Sequence, residues 1–287
     1  MSLRHIYKAA KSVFTRLSAA LFALMMLTFM AAAMTGCGIN ILPWLGSEPA
    51  ETSDDTPAET SADLTPRGTE AATTEPELTE AEKGFWKQAE EYLDYYCEVA
   101  LDSEFGDSDG KVHRWTEPVS LYVCPSEDAE KYDDFLKEHI KFLNGIDEFP
   151  GIIFTDSPDA AALTLEFVTA EKMKTVTGSG KGEAYGFTRI SWYNKDGRIF
   201  KGNIYIVREE DCSEADVKHT LTEETVQAMG LMNDSLKYPD SIFYQDYSEI
   251  CEISEIDAVL LRMHYSEYVT AGMNENQVRE TVRRLAN

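Results

Sequence analysis

The sharpest break in this 287-residue chain falls near residue 80. Residues 38–80 hold half of the ten prolines, eight threonines, ten acidic side chains and one base, Arg67. Past Ile39, Ile41, Leu42, Trp44 and Leu45 there is almost nothing to bury, so this stretch cannot close a core. Its prolines and like charges extend it into a tether. A domain therefore has to come from 81–287, a length suited to one domain or two small ones.

The segment before the tether reads as an address. Residues 1–16 are basic, 17–34 form an uncharged apolar run, and no Asp or Glu occurs before residue 37. That run is marginal for a membrane-spanning helix, and the order basic, apolar, small is that of a secretory signal. It ends in Met34-Thr35-Gly36-Cys37, which resembles a bacterial lipobox. The resemblance implies that 1–36 is removed and that Cys37 is lipidated, several acyl chains holding where one would not. An uncleaved signal anchor with Cys37 an incidental thiol is the alternative. The lipoprotein reading places the domain on the outer face of a bacterial cytoplasmic membrane, held off it by 37–80.

Beyond residue 36 the chain carries 22 bases against 51 acids, a formal charge of −29. So acidic a body excludes sequence-independent binding to nucleic acid. Four cysteines remain in that part: Cys97, Cys124, Cys212 and Cys251. Outside the cell they permit two disulfides, and Cys212 with Cys251, which bracket one helix, are the favoured pair. Four buried thiols are the equal alternative. No Cys-x-x-Cys spacing points to a zinc knuckle or a redox site.

Periodicity orders the elements. Thr79-x-x-Glu82 opens a helix to about residue 100, and a strand follows at 118–124. Ser126 caps a helix over 127–144, with His139 on its buried face, and strands are expected at 151–155 and 162–168. Gly178-Ser-Gly-Lys-Gly182 fails the spacing of a phosphate loop and reads as a strand connection. Asn194-Lys-Asp-Gly197 turns a hairpin between 185–194 and 198–207. Helices close the chain at about 213–231, 254–266 and 274–286. The expected class is α+β: one mixed sheet with helices largely on one face.

Chemistry concentrates in 219–244, HTLTEETVQAMGLMNDSLKYPDSIFY. The frame Glu223-Glu224-x-x-Gln227-x-x-Gly230-x-x-Asn233 resembles the zincin metallopeptidase motif His-Glu-x-x-His-x-x-Gly-x-x-His. Ser241, Ile242, Phe243 and Tyr244 resemble that class's Met-turn, with Phe243 in the Met position. The same residues, with Ile256-Asp257 to Tyr265 and Ala271-Gly272-Met273, resemble more closely a bacterial exported family, domain of unknown function 2927, over roughly 110–285.

In the zincin motif, residues four apart on a helix grip zinc, the intervening Glu is the general base, and Gly lets the chain bring in a third ligand. Carried over, the ligand positions are Glu223, Gln227 and Asn233; only Glu224 and Gly230 keep their types. With every imidazole gone, no zinc is expected; an oxygen set would at most hold Ca²⁺, Mg²⁺ or Mn²⁺ weakly. A shifted site using His219 and Glu223 with His264 or Asp257 is the alternative. His113 falls in a loop beside Trp115. The resemblance thus implies a zincin-like domain without its metal, a non-catalytic module that binds a peptide, protein or glycan at the cell surface. The rival is a hydrolase with a rearranged metal site and Glu224 as base.

Overall fold

The computed structural model describes residues 78–104, 108–178, 184–209 and 212–287. The signal segment, Cys37, residues 38–77 of the tether and 179–183 of the Gly-rich connection lie outside them. Among the described residues no helix is long and apolar enough to cross a membrane.

In chain order the elements are α1 (Glu80–Glu91), α2 (Leu93–Leu101), β1 (Val119–Val123), α3 (Glu127–Lys131), α4 (Asp133–Leu143), β2 (Ile152–Phe154), β3 (Leu163–Val168), α5 (Ala170–Thr177), β4 (Gly186–Trp192), β5 (Ile199–Val207), α6 (Glu214–Gln227), α7 (Glu255–Tyr265) and α8 (Glu275–Ala286). The strands form one sheet ordered β2-β1-β3-β5-β4, parallel except for β4, which pairs antiparallel with β5. The class is α+β.

Alternation along the strands sends Val119, Leu121, Leu163, Leu165, Ile190, Ile204 and Ile206 into the main core. Ser120, Thr164 and Asn203 point to the other face, which α5 partly covers through Met173 against Phe187 and Val207. Helix α6 packs on β4 and β5, and α1 packs on α7 and α8. At the β2 edge the Asn144 amide accepts from the Ile152 N–H (2.7 Å) and donates to the Ile152 carbonyl (3.0 Å), standing in for a neighbouring strand at that residue.

Capping residues set the helix starts. Thr79 with Glu82, Ser213 with Asp216, Ser254 with Asp257 and Asn274 with Gln277 each form a reciprocal capping box, and Ser126 caps α3. Two expected helices are each divided in two. The helix from 79 breaks at Tyr92 (φ −101°, ψ 8°) and that from 127 at Tyr132 (φ −101°, ψ 7°). Below the first break, α2 is buried nearly all round, with Leu93, Tyr95, Tyr96, Cys97, Val99, Ala100 and Leu101 inside. A straight continuation of α1 would present only one stripe to the core. Helix α5 escapes periodicity because Met173 is its one buried residue.

All four thiols are free. Cys97 and Cys212 are buried, Cys124 and Cys251 half-buried, and the Cys251 thiol lies 3.3 Å from the Glu249 carbonyl and 3.5 Å from that of Ala215. The Cys212–Cys251 bridge favoured from sequence is not formed.

The end of α6 is fixed by an unusual convergence. Gly230 follows with φ +106°, and a Cβ there would fall 1.8 Å from the His113 carbonyl oxygen. His264 Nε2 donates to that same oxygen (3.1 Å), while its Nδ1 accepts from the Tyr96 hydroxyl (2.9 Å). Both bonds suit one neutral tautomer, and burial holds His264 down to about 3. The carbonyls of Ala228 and Met229, left without helical partners, accept from Trp115 Nε1 (2.9 Å) and the Tyr265 hydroxyl (2.8 Å). Gly230→Ala combines a forbidden φ with a backbone collision. It should cost at least about 3 kcal/mol, a drop in Tm of roughly 6–12 °C by calorimetry.

Candidate functional site

Helix α6 carries the site because its faces have different neighbours. Val217 and Leu221 point to the core and are 2% and 0% exposed. At about 100° per residue, Thr220 and Glu224 lie to one side of that line and meet the first residue of β4. A Cβ on Gly186 would fall 2.1 Å from Glu224 Oε1, 2.5 Å from its Cγ and 2.5 Å from Thr220 Cγ2. Gly186 is thus glycine because the Glu224 carboxyl occupies the space of a side chain. Thr188, two residues along β4, donates to the Glu224 carbonyl (2.9 Å).

Glu224 is 5% exposed, and its Oε2 is buried without a hydrogen-bond partner. Burial pushes this carboxyl well above the usual range; Thr188 opposes the shift, and Glu104 and Asp234 reinforce it. The next stripe round the helix, past Glu224 and away from the core, is His219, Glu223 and Gln227. Glu223 is also raised well above its ordinary value, first by burial and then by Asp234 and Glu224. Gln227 donates through Nε2 to Asp234 Oδ1 (3.0 Å), and burial pushes Asp234 up to about 6. No Lys or Arg forms an ion pair with Glu223, Glu224 or Asp234 among the described residues.

The third position of the motif falls elsewhere than expected. Asn233 turns away: its Nδ2 donates to the Glu98 carbonyl (3.1 Å) and its N–H to that of Val99 (3.0 Å). Asp234 takes the place beside Gln227. The zinc frame therefore does not fit, on geometry as well as donor chemistry. Among the described residues, no three His, Cys, Asp or Glu side chains are grouped to hold a metal ion.

The shifted set fares no better. His219 Nε2 lies 3.7 Å from Glu223 Oε2, and its Nδ1 is engaged by the Ile250 carbonyl at 2.6 Å. Burial lowers its pKa. His264 is committed to the α6 turn, and Asp257 to the following loop.

That loop is the Met-turn-like segment, and Asp257 is its anchor. The Asp257 carboxylate is 0% exposed and accepts from Ser241 Oγ (2.5 Å), the Ile242 N–H (3.0 Å), and both the N–H and hydroxyl of Ser254 (3.0 and 2.8 Å). Ser241 accepts in turn from the Tyr95 hydroxyl (2.6 Å). Phe243 is fully buried, and Ser235 bridges to Tyr244 across the loop. Sequence pattern located Ser241 and Phe243 here; it assigned Asp257 no role in the loop, although the Ser254-x-x-Asp257 cap was readable.

Sequence reading allowed a peptide-binding cleft beside Glu224 but did not place it along β4. A cavity of about 200 Å³ runs along the outer edge of β4, walled by Phe187, Thr188, Arg189 and Ile190 and, across the gap, by Asp109 and His113. His113 stacks on Trp192 (4.0 Å between ring centroids) and meets Asp109 at 2.9 Å. The register gives that edge its chemistry. The Val207 N–H donates to the Tyr185 carbonyl, so odd-numbered residues of β4 face β5. Gly186, Thr188 and Ile190 turn their N–H and C=O groups outward, and none of these groups has a backbone partner among the described residues.

The family model described as protein of unknown function (DUF2927) matches residues 89–284. The chain belongs to that family. No curated protein matches it. The DUF2927 match begins inside α1 and takes in the sheet, α6, the Asp257-anchored loop and the cleft.

Carboxyls raised by burial make the fold more stable below the ordinary carboxylate range. That contribution is lost as pH rises through the raised values. Glu224→Gln should therefore raise Tm at pH 8 relative to the parent by roughly 2–12 °C, the effect of about 1–3 kcal/mol. The difference should shrink toward pH 5, where both side chains are neutral. Taking the difference between two proteins cancels the opposing contribution of the buried histidines. A Tm difference independent of pH would contradict the assignment.

Proposed function

We propose that this chain is a surface lipoprotein whose zincin-like domain binds an extended peptide or protein segment as an added strand on β4, without cleaving it. The observation that carries the reading is the row of backbone groups on Gly186, Thr188 and Ile190 that have no backbone partner among the described residues, the latter two residues lining the cleft. A strand laid there gains a ladder of main-chain bonds, and side-chain pockets on alternate residues supply selectivity. The zinc-ligand positions hold Glu223, Gln227 and a diverted Asn233, which favours binding over hydrolysis. The acidic tether and the Cys37 anchor suit a domain that works at a distance from a membrane.

The hydrolase reading keeps one observation of its own: Glu224, at the base position, is a buried carboxyl of raised pKa beside the cleft. Short random peptides displayed on phage and selected on the full chain decide between the two. Selected peptides should lose at least about tenfold in affinity when alternate backbone nitrogens are methylated, and little when the intervening ones are. They should remain uncut over long incubation, with and without chelator. Cleavage that Glu224→Gln abolishes would replace this reading with the hydrolase. Separately, a clickable palmitate analogue fed to cells making the protein should label the parent and not Cys37→Ala.

A further inference from the structure

Beyond the Gly186 end of β4 lies the one carboxyl among the described residues with a buried oxygen that meets no hydrogen-bond partner. Residues of an added strand that bond to Gly186, Thr188 and Ile190 share their face of the sheet and project toward α6. At Gly186 that face is lined by Glu224, and the next stripe outward on α6 presents Glu223 and Gln227, with Asp234 beside Gln227. Two features show that these acids face a missing partner rather than each other alone. Glu224 Oε2 is buried with no hydrogen-bond partner at this spot. Glu223, with 16% of its side chain exposed, is reached from solvent, while its nearest cationic candidate, His219, stands off at 3.7 Å.

Gln227 turns its amide nitrogen to Asp234 Oδ1, which leaves the other carboxylate oxygen of Asp234 to accept from outside. The described residues offer no three-ligand cluster for a metal, so a cation that brings its own hydrogen-bond donors fits better than a bare ion.

We infer that the strand added to β4 carries a lysine or arginine whose cationic group is received by Glu223 and Asp234 at the Gly186 end of the edge. This rests on the strand-addition reading. Long basic side chains span the step from an edge strand to the helix below, and a buried carboxylate pair without a base gains most from acquiring one. The raised values of Glu223 and Asp234 support the pairing, since an arriving cation makes the pair release protons.

The test uses the full chain and the peptides selected from the random display library. They should share Lys or Arg at one position, and replacing it with norleucine should weaken binding by at least about tenfold. Calorimetry near pH 6 in buffers of different ionisation enthalpy should show proton release on binding. The doubly substituted Glu223→Gln, Asp234→Asn chain should lose both the preference and the release, while binding the norleucine peptide as the parent does. Selected peptides that are sensitive to backbone methylation yet carry no fixed base would overturn this inference and leave strand addition standing. If no selected peptide is sensitive to backbone methylation, both fall. Stoichiometric Mn²⁺ binding by the parent, lost in Glu223→Gln, would overturn it in favour of a metal site.

Discussion

The His113 carbonyl oxygen is the point on which the arrangement turns. Gly230 must pass so close to it that no Cβ fits, and His264 donates to it from α7. Three segments far apart in sequence are thereby located against one another: the loop before β1, the end of α6 and the end of α7. Trp115 and Tyr265 occupy the last carbonyls of α6, so the helix can end in the interior without leaving polar groups bare. Arg114, next in sequence, reaches the carbonyls of His264, Tyr265, Ser266 and Val269 and closes α7 in the same way. Moving any of these shifts the helix that carries the acids.

Those acids contrast with Asp257. It is fully buried but meets four donors, and it joins the start of α7 to the Met-turn-like loop. Glu224, also buried, has an oxygen unmet among the described residues. Burying charge without partners costs stability, and the cost here falls at the strand edge where backbone groups are also unmatched. Two independent kinds of unsatisfied valence, one main-chain and one side-chain, thus converge on the same few ångströms of surface.

Much of the fold was legible because local signals agree with the tertiary structure. The capping signals at Thr79 and Ser126 and the turn at Asn194–Gly197 mark boundaries to within a residue or two. The breaks at Tyr92 and Tyr132 were not legible, since each depends on which aromatic rings find space in the core. Glu224 and Gly230 could be singled out from motif spacing, whereas Gly186 could not: its meaning is the carboxyl lying over it, supplied by a helix about forty residues later. Asn233 was misplaced for a related reason. The turn after Gly230 decides which of two adjacent polar side chains faces the helix, and spacing alone does not distinguish Asn233 from Asp234.

The two ends of the sheet differ in a way that bears on how the molecule can associate. At β2 the Asn144 amide already plays the part of a neighbouring strand, over a segment of three residues. At β4 the ladder is open. A sheet with one short, partly capped end and one open end favours a closed pair, in which copies meet through their β4 edges, over a growing stack. At high local density, that asymmetry tips the balance from a fibre toward a reversible encounter.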